Sequence, residues 1–251
     1  MSAPWIEASV VGQTRWTDRL LSVQVEIPAG TPLPFEAGQF ARLALDIGGE
    51  RVARPYSFVN APGAAPLEFY YAIVAEGPLS PRLARLSPGE RVYVAPNPAG
   101  FLVLSEVPEA ATLWLVSTGT GIGPFLSILR TPTPWQRFKR VVLVHAARHP
   151  VELVYADTIE ALGRAHPQQL SVVRITSREL AGDALWGRIP ALIADGSLEA
   201  RAGCALAAET SQVMLCGNPE MVKDALAELA NRGMKKHRRR SPGQITVENY
   251  W

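Results

Sequence analysis

Leu113-Trp-Leu-Val-Ser-Thr-Gly-Thr-Gly-Ile-Gly-Pro124 decides how the second half of this chain folds. An apolar run of strand length passes directly into glycines at alternate positions, 119, 121 and 123, and then into a stretch that can continue as a helix, 124–130. Glycine allows a tight turn and a close approach of backbone to ligand. The helix that follows offers free N–H groups and the positive end of its dipole, which suit a pyrophosphate. Pro124 fits the first helical turn, where its missing N–H has no partner to lose. By itself such a cluster also describes a merely structural turn. Its place on the first strand of an alternating half is what favours a nucleotide site.

Outward from that turn, apolar strands at 113–117, 141–146, 170–176 and 213–216 alternate with helical stretches at 124–130, 155–165, 189–195 and 219–231. This rhythm predicts βαβ units and a parallel sheet covered on both faces. Toward the N-terminus the rhythm differs. Short runs rich in β-branched and aromatic residues at 20–27, 40–46, 52–59, 67–74 and 91–95 are separated by Pro/Gly punctuation at 28–30, 48–49, 61–63 and 87–89. Only one helix is evident there, beginning at Ser80-Pro81. The pattern predicts a small antiparallel barrel. The boundary is placed near 104–108, giving two domains, 1–105 and 106–251.

Bulk properties exclude several classes. A chain of 251 residues with 47% apolar and 19% charged residues can bury a substantial core, so disorder is not the reading. A net charge of +2 is too small for a nucleic-acid binder, which is usually basic over a whole face. The 2 cysteines, Cys204 and Cys216, cannot build a disulfide framework, a four-thiolate zinc site or a cysteine-ligated iron–sulfur cluster. No secretory signal is visible, and the most apolar stretch, 111–129, is interrupted by its glycines and Pro124, so no membrane span is expected. The expectation is a cytoplasmic protein. His145 and His149 have i, i+4 spacing but fall on and beyond a strand, where that spacing does not make neighbours, so no metal site is expected.

Two further stretches admit both a chemical and a bland reading. In Gly77-Pro-Leu-Ser80-Pro81, Ser80 is a good N-cap and Pro81 a good first helical residue, which makes a second phosphate-ready helix start or simply a well-capped helix. In Arg54-Pro-Tyr-Ser57, the arginine can bind a diphosphate, the tyrosine can lie against a flat ring system and the serine can bond one of its heteroatoms. The same four residues equally describe cross-strand packing, and composition alone leaves the choice open.

Taken in order, Arg54-Pro-Tyr-Ser57, Gly77-Pro-Leu-Ser80, Gly119-Thr-Gly-Ile-Gly-Pro124 and Cys216-Gly-Asn-Pro219 resemble the ferredoxin–NADP reductase family, and within it the bacterial ferredoxin/flavodoxin–NADP reductases. The resemblance extends to Leu143-Val-His-Ala-Ala-Arg148, Ser177-Arg-Glu179, Gly187-Arg-Ile-Pro190 and the aromatic end Tyr250-Trp251. It implies an N-terminal antiparallel Greek-key β-barrel followed by a Rossmann-like α/β domain with a parallel sheet. FAD would sit at the barrel mouth. Arg54 would contact its pyrophosphate, Tyr56 would lie against the isoalloxazine and Ser57 would approach N5. Pro55, Tyr70, Leu79, Ser80 and Thr120 would complete the pocket, with Tyr250 over the isoalloxazine and Trp251 over the adenine.

The resemblance also implies that Thr118, Gly119, Gly121, Cys216, Gly217 and Asn218 line the nicotinamide side of an NADP(H) site, with the Cys216 sulfur near the transferring carbon. Ala147, Arg148, Ser177, Arg178, Arg188 and Asp224 would hold the rest. A ribose 2′-phosphate favours planar guanidinium donors, and Arg148, Arg178 and Arg188 are the family's choice for it, which makes NADPH the expected donor. Ser57 and Cys216 would align the reacting partners. Glu248 is a candidate proton relay, against the alternative of a surface acid beside the chain end. Expected partners are ferredoxin and flavodoxin, acidic one-electron carriers, with the protein a monomer that uses neither nucleic acid nor membrane. Lys235-Lys-His-Arg-Arg-Arg240 is either a solvated, flexible face or an attractor for such a carrier. An oxygenase reductase with a fused iron–sulfur domain is excluded by the cysteine count. A free flavin reductase is disfavoured by the aromatic end, and a non-catalytic binding module would be colourless when purified.

Overall fold

A computed structural model describes residues 4–180 and 182–249. The first half is an antiparallel six-stranded sheet of β1 (Ile6–Arg15), β2 (Leu20–Glu26), β3 (Phe40–Ile47), β4 (Glu50–Ser57), β5 (Leu67–Ala72) and β6 (Arg91–Val94), in the order β4-β3-β6-β1-β2-β5. Its ends meet. Phe58, one residue beyond β4, bridges Phe69 of β5, and the Val59 N–H donates to the Glu68 carbonyl at 2.9 Å, so the sheet curls into a barrel. Period-two alternation drives this closure. Leu21, Val23 and Val25 of β2 and Leu67, Phe69 and Tyr71 of β5 all point into one buried cluster, and each such aliphatic side chain removed from water contributes about 1.5–3 kcal/mol. Pro55 is tolerated within β4 because β4 ends the row of paired strands.

The one helix expected in this half is present as α1 (Ser80–Leu83), but its start differs from the sequence reading. Leu79 occupies the cap position and Ser80 is already helical. The Ser80 hydroxyl instead accepts the backbone N–H of Val74 at 2.9 Å, closing the preceding loop. A Ser-Pro pair supports either arrangement locally; the Val74 amide decides between them.

From Thr112 the chain forms a parallel six-stranded sheet. Its strands are β7 (Thr112–Thr118), β8 (Arg140–Ala147), β9 (Leu170–Thr176), β10 (Leu185–Trp186), β11 (Ser211–Gly217) and β12 (Ile245–Asn249), ordered β10-β9-β8-β7-β11-β12. The helices are α2 (Ile122–Leu129), α3 (Thr133–Arg137), α4 (Ala156–Ala165), α5 (Ile189–Ala194), α6 (Ser197–Ala202) and α7 (Pro219–Asn231). Successive residues of β7 face opposite cores: Leu113 and Leu115 join a cluster with α2 and α4, while Trp114 and Val116 join one with α5 and α7. Both faces are therefore buried, as the near-continuous apolar runs require. The first cluster also takes in Leu20, Val59, Tyr70 and Leu102 from the barrel half, so the two halves share one continuous core. Strands β1, β10 and β12 and helices α3 and α6 were not expected from the sequence.

Among the described residues no helix is long and apolar enough to cross a membrane.

Candidate functional site

The sheet order reverses between β7 and β11, and in open α/β sheets that reversal leaves a crevice at the carboxyl ends of the strands. Both glycine motifs end there. The β7 strand runs into a 3-10 turn at Gly119–Gly121 and then into α2, while β11 ends at Cys216-Gly217 and opens α7. The two ends are locked. The Asn218 N–H donates to Thr118 Oγ1 at 2.9 Å, and a Cβ on Gly121 would stand 2.5 Å from the Cys216 carbonyl oxygen. Gly217 has φ +134°, and a Cβ there would overlap Thr118 Oγ1. Neither position accepts a side chain, and the two turns pack backbone to backbone. Asn218 Oδ1 accepts the N–H groups of Glu220 at 2.9 Å and Met221 at 3.2 Å, capping α7.

The barrel motif reaches the same place. Arg54 is exposed, and Tyr56 packs its ring edgewise on Tyr71 at 5.8 Å; burial pushes its phenol up to about 12, so it stays neutral. Tyr71 donates to Gln13 Oε1 at 2.7 Å, and Gln13 Nε2 in turn donates to the Leu83 carbonyl at 2.9 Å, tying the Tyr56 face to α1. Two residues past buried Ser57, the Val59 side chain lies at van der Waals distance (3.6 Å) from the Cβ position of Gly123 in the first turn of α2. Gln13 and Tyr71 carry no local sequence signal; only the barrel closure brings them to α1.

Glu248 joins the pieces. In register it stands beside Cys216, and Phe40 stands beside Ser57. A carbon placed on Gly100 would be 3.1 Å from Glu248 Oε2 and 3.2 Å from the Phe40 ring, so the carboxyl and that ring flank one small gap. The surface-acid alternative for Glu248 is thereby corrected. Burial pushes its carboxyl up to about 7, against the pull of the Leu102 backbone N–H, and a strand carries it into the junction of the two halves.

The arginines converge at the neighbouring edge. Arg148 and Arg178 follow the ends of β8 and β9 and are joined by a backbone bond, the Arg178 N–H to the Arg148 carbonyl at 2.9 Å. Gly187, just before Arg188, donates its N–H to the Thr176 carbonyl at 3.0 Å, and Ser177 bonds the Ala147 carbonyl through its N–H at 3.2 Å. All three arginines are exposed, and none makes an ion pair among the described residues.

Residues 115–227 match the family described as oxidoreductase NAD-binding domain. The flavodoxin/ferredoxin–NADP reductases of Shigella flexneri and Escherichia coli (strain K12) are each 50% identical over 250 residues, covering 99% of this chain and 100% of theirs. A solved ferredoxin NADP+ reductase from Neisseria gonorrhoeae, with bound FAD and NADP, aligns at TM-score 0.93 and 36% identity over 99% of this chain and 100% of that one. The chain belongs to the flavodoxin/ferredoxin–NADP reductase family. It is an oxidoreductase.

The other site residues expected of a flavodoxin/ferredoxin–NADP reductase stand on several elements. Tyr70 faces outward from the barrel into the shared core, edgewise on Tyr155 at 5.4 Å, with its hydroxyl unbonded among the described residues. Leu79 is buried inside the barrel, and Thr120 sits in the 3-10 turn. Asp224 is exposed one turn into α7. Cys216 is fully buried within the shared core. Tyr250 and Trp251 lie outside the described residues. His145 is buried in β8, where desolvation pushes it down to about 3 and keeps it neutral, whereas His149 Nδ1 lies 3.3 Å from Glu179. The basic run is not a featureless face. Arg238 and Ser241 pair backbone to backbone, His237 donates its N–H to Ile245, and Arg239 grips Glu106 through Nε at 3.0 Å while lying 5.2 Å over the Phe101 ring.

Proposed function

We propose that this chain carries electrons between NADPH and a one-electron carrier, ferredoxin or flavodoxin, by way of FAD held at the barrel mouth. The observation that carries this reading is the meeting of two close-packed glycine turns and one barrel strand end at the start of α2. Gly121 and Gly217 let the Thr118–Gly121 turn and the Cys216–Gly217 turn pack backbone against backbone, closer than any side chain would allow, and exposed Arg54 stands on the strand that leads to Val59. Bound there, FAD would supply hydride-accepting chemistry at N5 and one-electron release toward the carrier.

The chain's own residues do the rest. Arg54 and the α1 start would bind the FAD pyrophosphate, and the neutral Tyr56 would lie against the ring system. Ser57, Cys216 and Glu248 would border the reacting edge, where a carboxyl that titrates near neutrality can hold or release a proton at Oε2. Thr118, by accepting the Asn218 N–H, fixes the turns on the nicotinamide side. Arg148, Arg178 and Arg188 would take the 2′-phosphate of NADPH and exclude NADH. The domain division falls at 105/106 in this reading, and the protein works as a cytoplasmic monomer without nucleic-acid or membrane partners.

The visible spectrum of the purified protein tests this, before and after anaerobic NADPH. Flavin absorbance that bleaches with NADPH is expected. A colourless protein, or a yellow one that NADPH leaves unbleached, overturns the reading.

A further inference from the structure

Tyr155 is the only described residue other than glycine with a positive φ, at 61°. A bulky side chain in the left-handed region costs about 1–2 kcal/mol, so something nearby must hold it there. The holding contacts are on the barrel. Tyr155 caps α4, is buried, and places its hydroxyl 2.8 Å from Glu68 Oε1 on β5 and 2.6 Å from Ser22 Oγ on β2. The Trp16 indole N–H donates to the same Ser22 oxygen at 2.7 Å. Trp16 can only donate, and the one hydroxyl hydrogen of Tyr155 goes to Glu68 Oε1. The hydrogens must therefore run one way, from Trp16 to Ser22 to Tyr155 to Glu68, each bond polarising the next.

Glu68 is a shared node. Its second oxygen, Oε2, lies 3.5 Å from Arg130 Nη1, which also donates to the Val59 carbonyl at 2.9 Å. Arg130 directly follows α2, whose Ser127 donates to the Asn60 carbonyl at 2.8 Å. The strand that bears Glu68 also lies against the Gly119–Gly121 turn. One carboxylate on the barrel thus holds the far end of the helix that begins at the glycine turn and, through Tyr155, the start of α4.

We propose that Glu68, Tyr155 and Arg130 form a latch that sets the orientation of the barrel on the parallel sheet, and with it the approach of the glycine turn to the barrel mouth. The role is one of positioning. It deepens the redox reading above, in which the turn carries the nicotinamide and the barrel the flavin, and where an error of about 1 Å costs up to ~100-fold in rate.

The test compares the full-length holoprotein with Tyr155→Phe, Glu68→Leu and Glu68→Gln. Two measurements are made: amide hydrogen exchange of the segment 118–122, and single-turnover flavin reduction by NADPH. Tyr155→Phe and Glu68→Leu are expected to speed exchange in that segment and to slow flavin reduction by about tenfold, with flavin content and NADP+ affinity within about twofold of wild type. Glu68→Gln keeps an acceptor for Tyr155 and should restore most of both. The latch is refuted if Tyr155→Phe alters neither reading, or lowers only the melting temperature. Should Glu68→Leu fail to fold, Tyr155→Phe against wild type decides alone. A wild-type protein without reducible flavin refutes the redox reading instead, and the exchange measurement still judges the latch.

Discussion

The backbone N–H of Asn218 donates to the hydroxyl of Thr118 across the reversal point of the sheet, at 2.9 Å. Two motifs a hundred residues apart are fastened there by one bond, and the fit leaves no room for a Cβ on Gly217 or Gly121. Gly217→Ala is expected to destabilise the fold by about 1–3 kcal/mol, since it combines an unfavourable φ with a steric overlap. NADP+ affinity should fall further than Tm alone accounts for. Thr118→Val keeps the shape but leaves the Asn218 N–H without its acceptor, at a cost of about 1–3 kcal/mol if that amide finds no water. Chemical unfolding and NADP+ titration of the two variants separate these effects, and an unchanged NADP+ affinity in both would remove these turns from the nicotinamide site.

Arg148, Arg178 and Arg188 crown adjacent strand ends, and none is engaged by a carboxylate among the described residues. If they hold a 2′-phosphate, each replacement by Ala removes charge-assisted bonds worth about 1.5–3 kcal/mol, which corresponds to a rise in KM for NADPH of about ten- to hundredfold. The KM for NADH should not move, because NADH lacks the phosphate. Parallel rises for both nucleotides would mean that the arginines support the edge of the sheet rather than choose the cofactor.

The parts of this site that were legible in the sequence are those written in a few adjacent residues. An apolar run ending in alternating glycines can hardly be anything but a buried strand and a tight turn, and β7 and α2 appear where that run predicts them. Strand β12 is hard to read from sequence because five residues directly after a basic run and Ser241-Pro-Gly-Gln244 are too short to show a period; β11 pairs with it from Val213 to Gly217. Its register carries Glu248 into the junction, and nothing near position 248 announces that. The latch is more hidden still. Glu68 and Tyr155 are 87 residues apart, and each alone reads as an ordinary polar residue near an element boundary. Ser80 shows the opposite failure, a local signature that two helix starts share and a remote amide resolves.

Glu248 makes a prediction about pH. Its carboxyl titrates near 7 in the folded protein, against an ordinary value of 4.5. The native state therefore binds the proton more tightly than the unfolded chain does. Native stability is favoured as pH falls from about 7 toward 4.5, and that gain is lost as pH rises through the same window. Glu248→Gln should flatten this part of the profile and stabilise the protein at pH 8 by on the order of 1–2 kcal/mol, allowing for partial exposure. Urea midpoints of wild type and variant at pH 5 and pH 8 measure it. Identical slopes for the two proteins would mean that the carboxyl titrates as a solvated acid.

The basic run divides into unequal parts. Arg239 is held by Glu106 and lies over Phe101, so its charge is already matched locally. Arg238 and Arg240 are exposed and make no ion pair among the described residues. Steering of an acidic carrier depends on unmatched charge and is screened beyond about 10 Å at 0.1 M salt. The double variant Arg238→Gln/Arg240→Gln should slow carrier reduction several-fold at low salt, with the deficit closing as salt rises. Reduction of a small uncharged dye should be unaffected. Arg239→Gln alone should have the smaller effect on the salt dependence, because it removes one positive charge where the double variant removes two. Equal carrier rates for wild type and double variant at every ionic strength would assign the run to the architecture of the turn before β12 and leave the carrier to dock elsewhere.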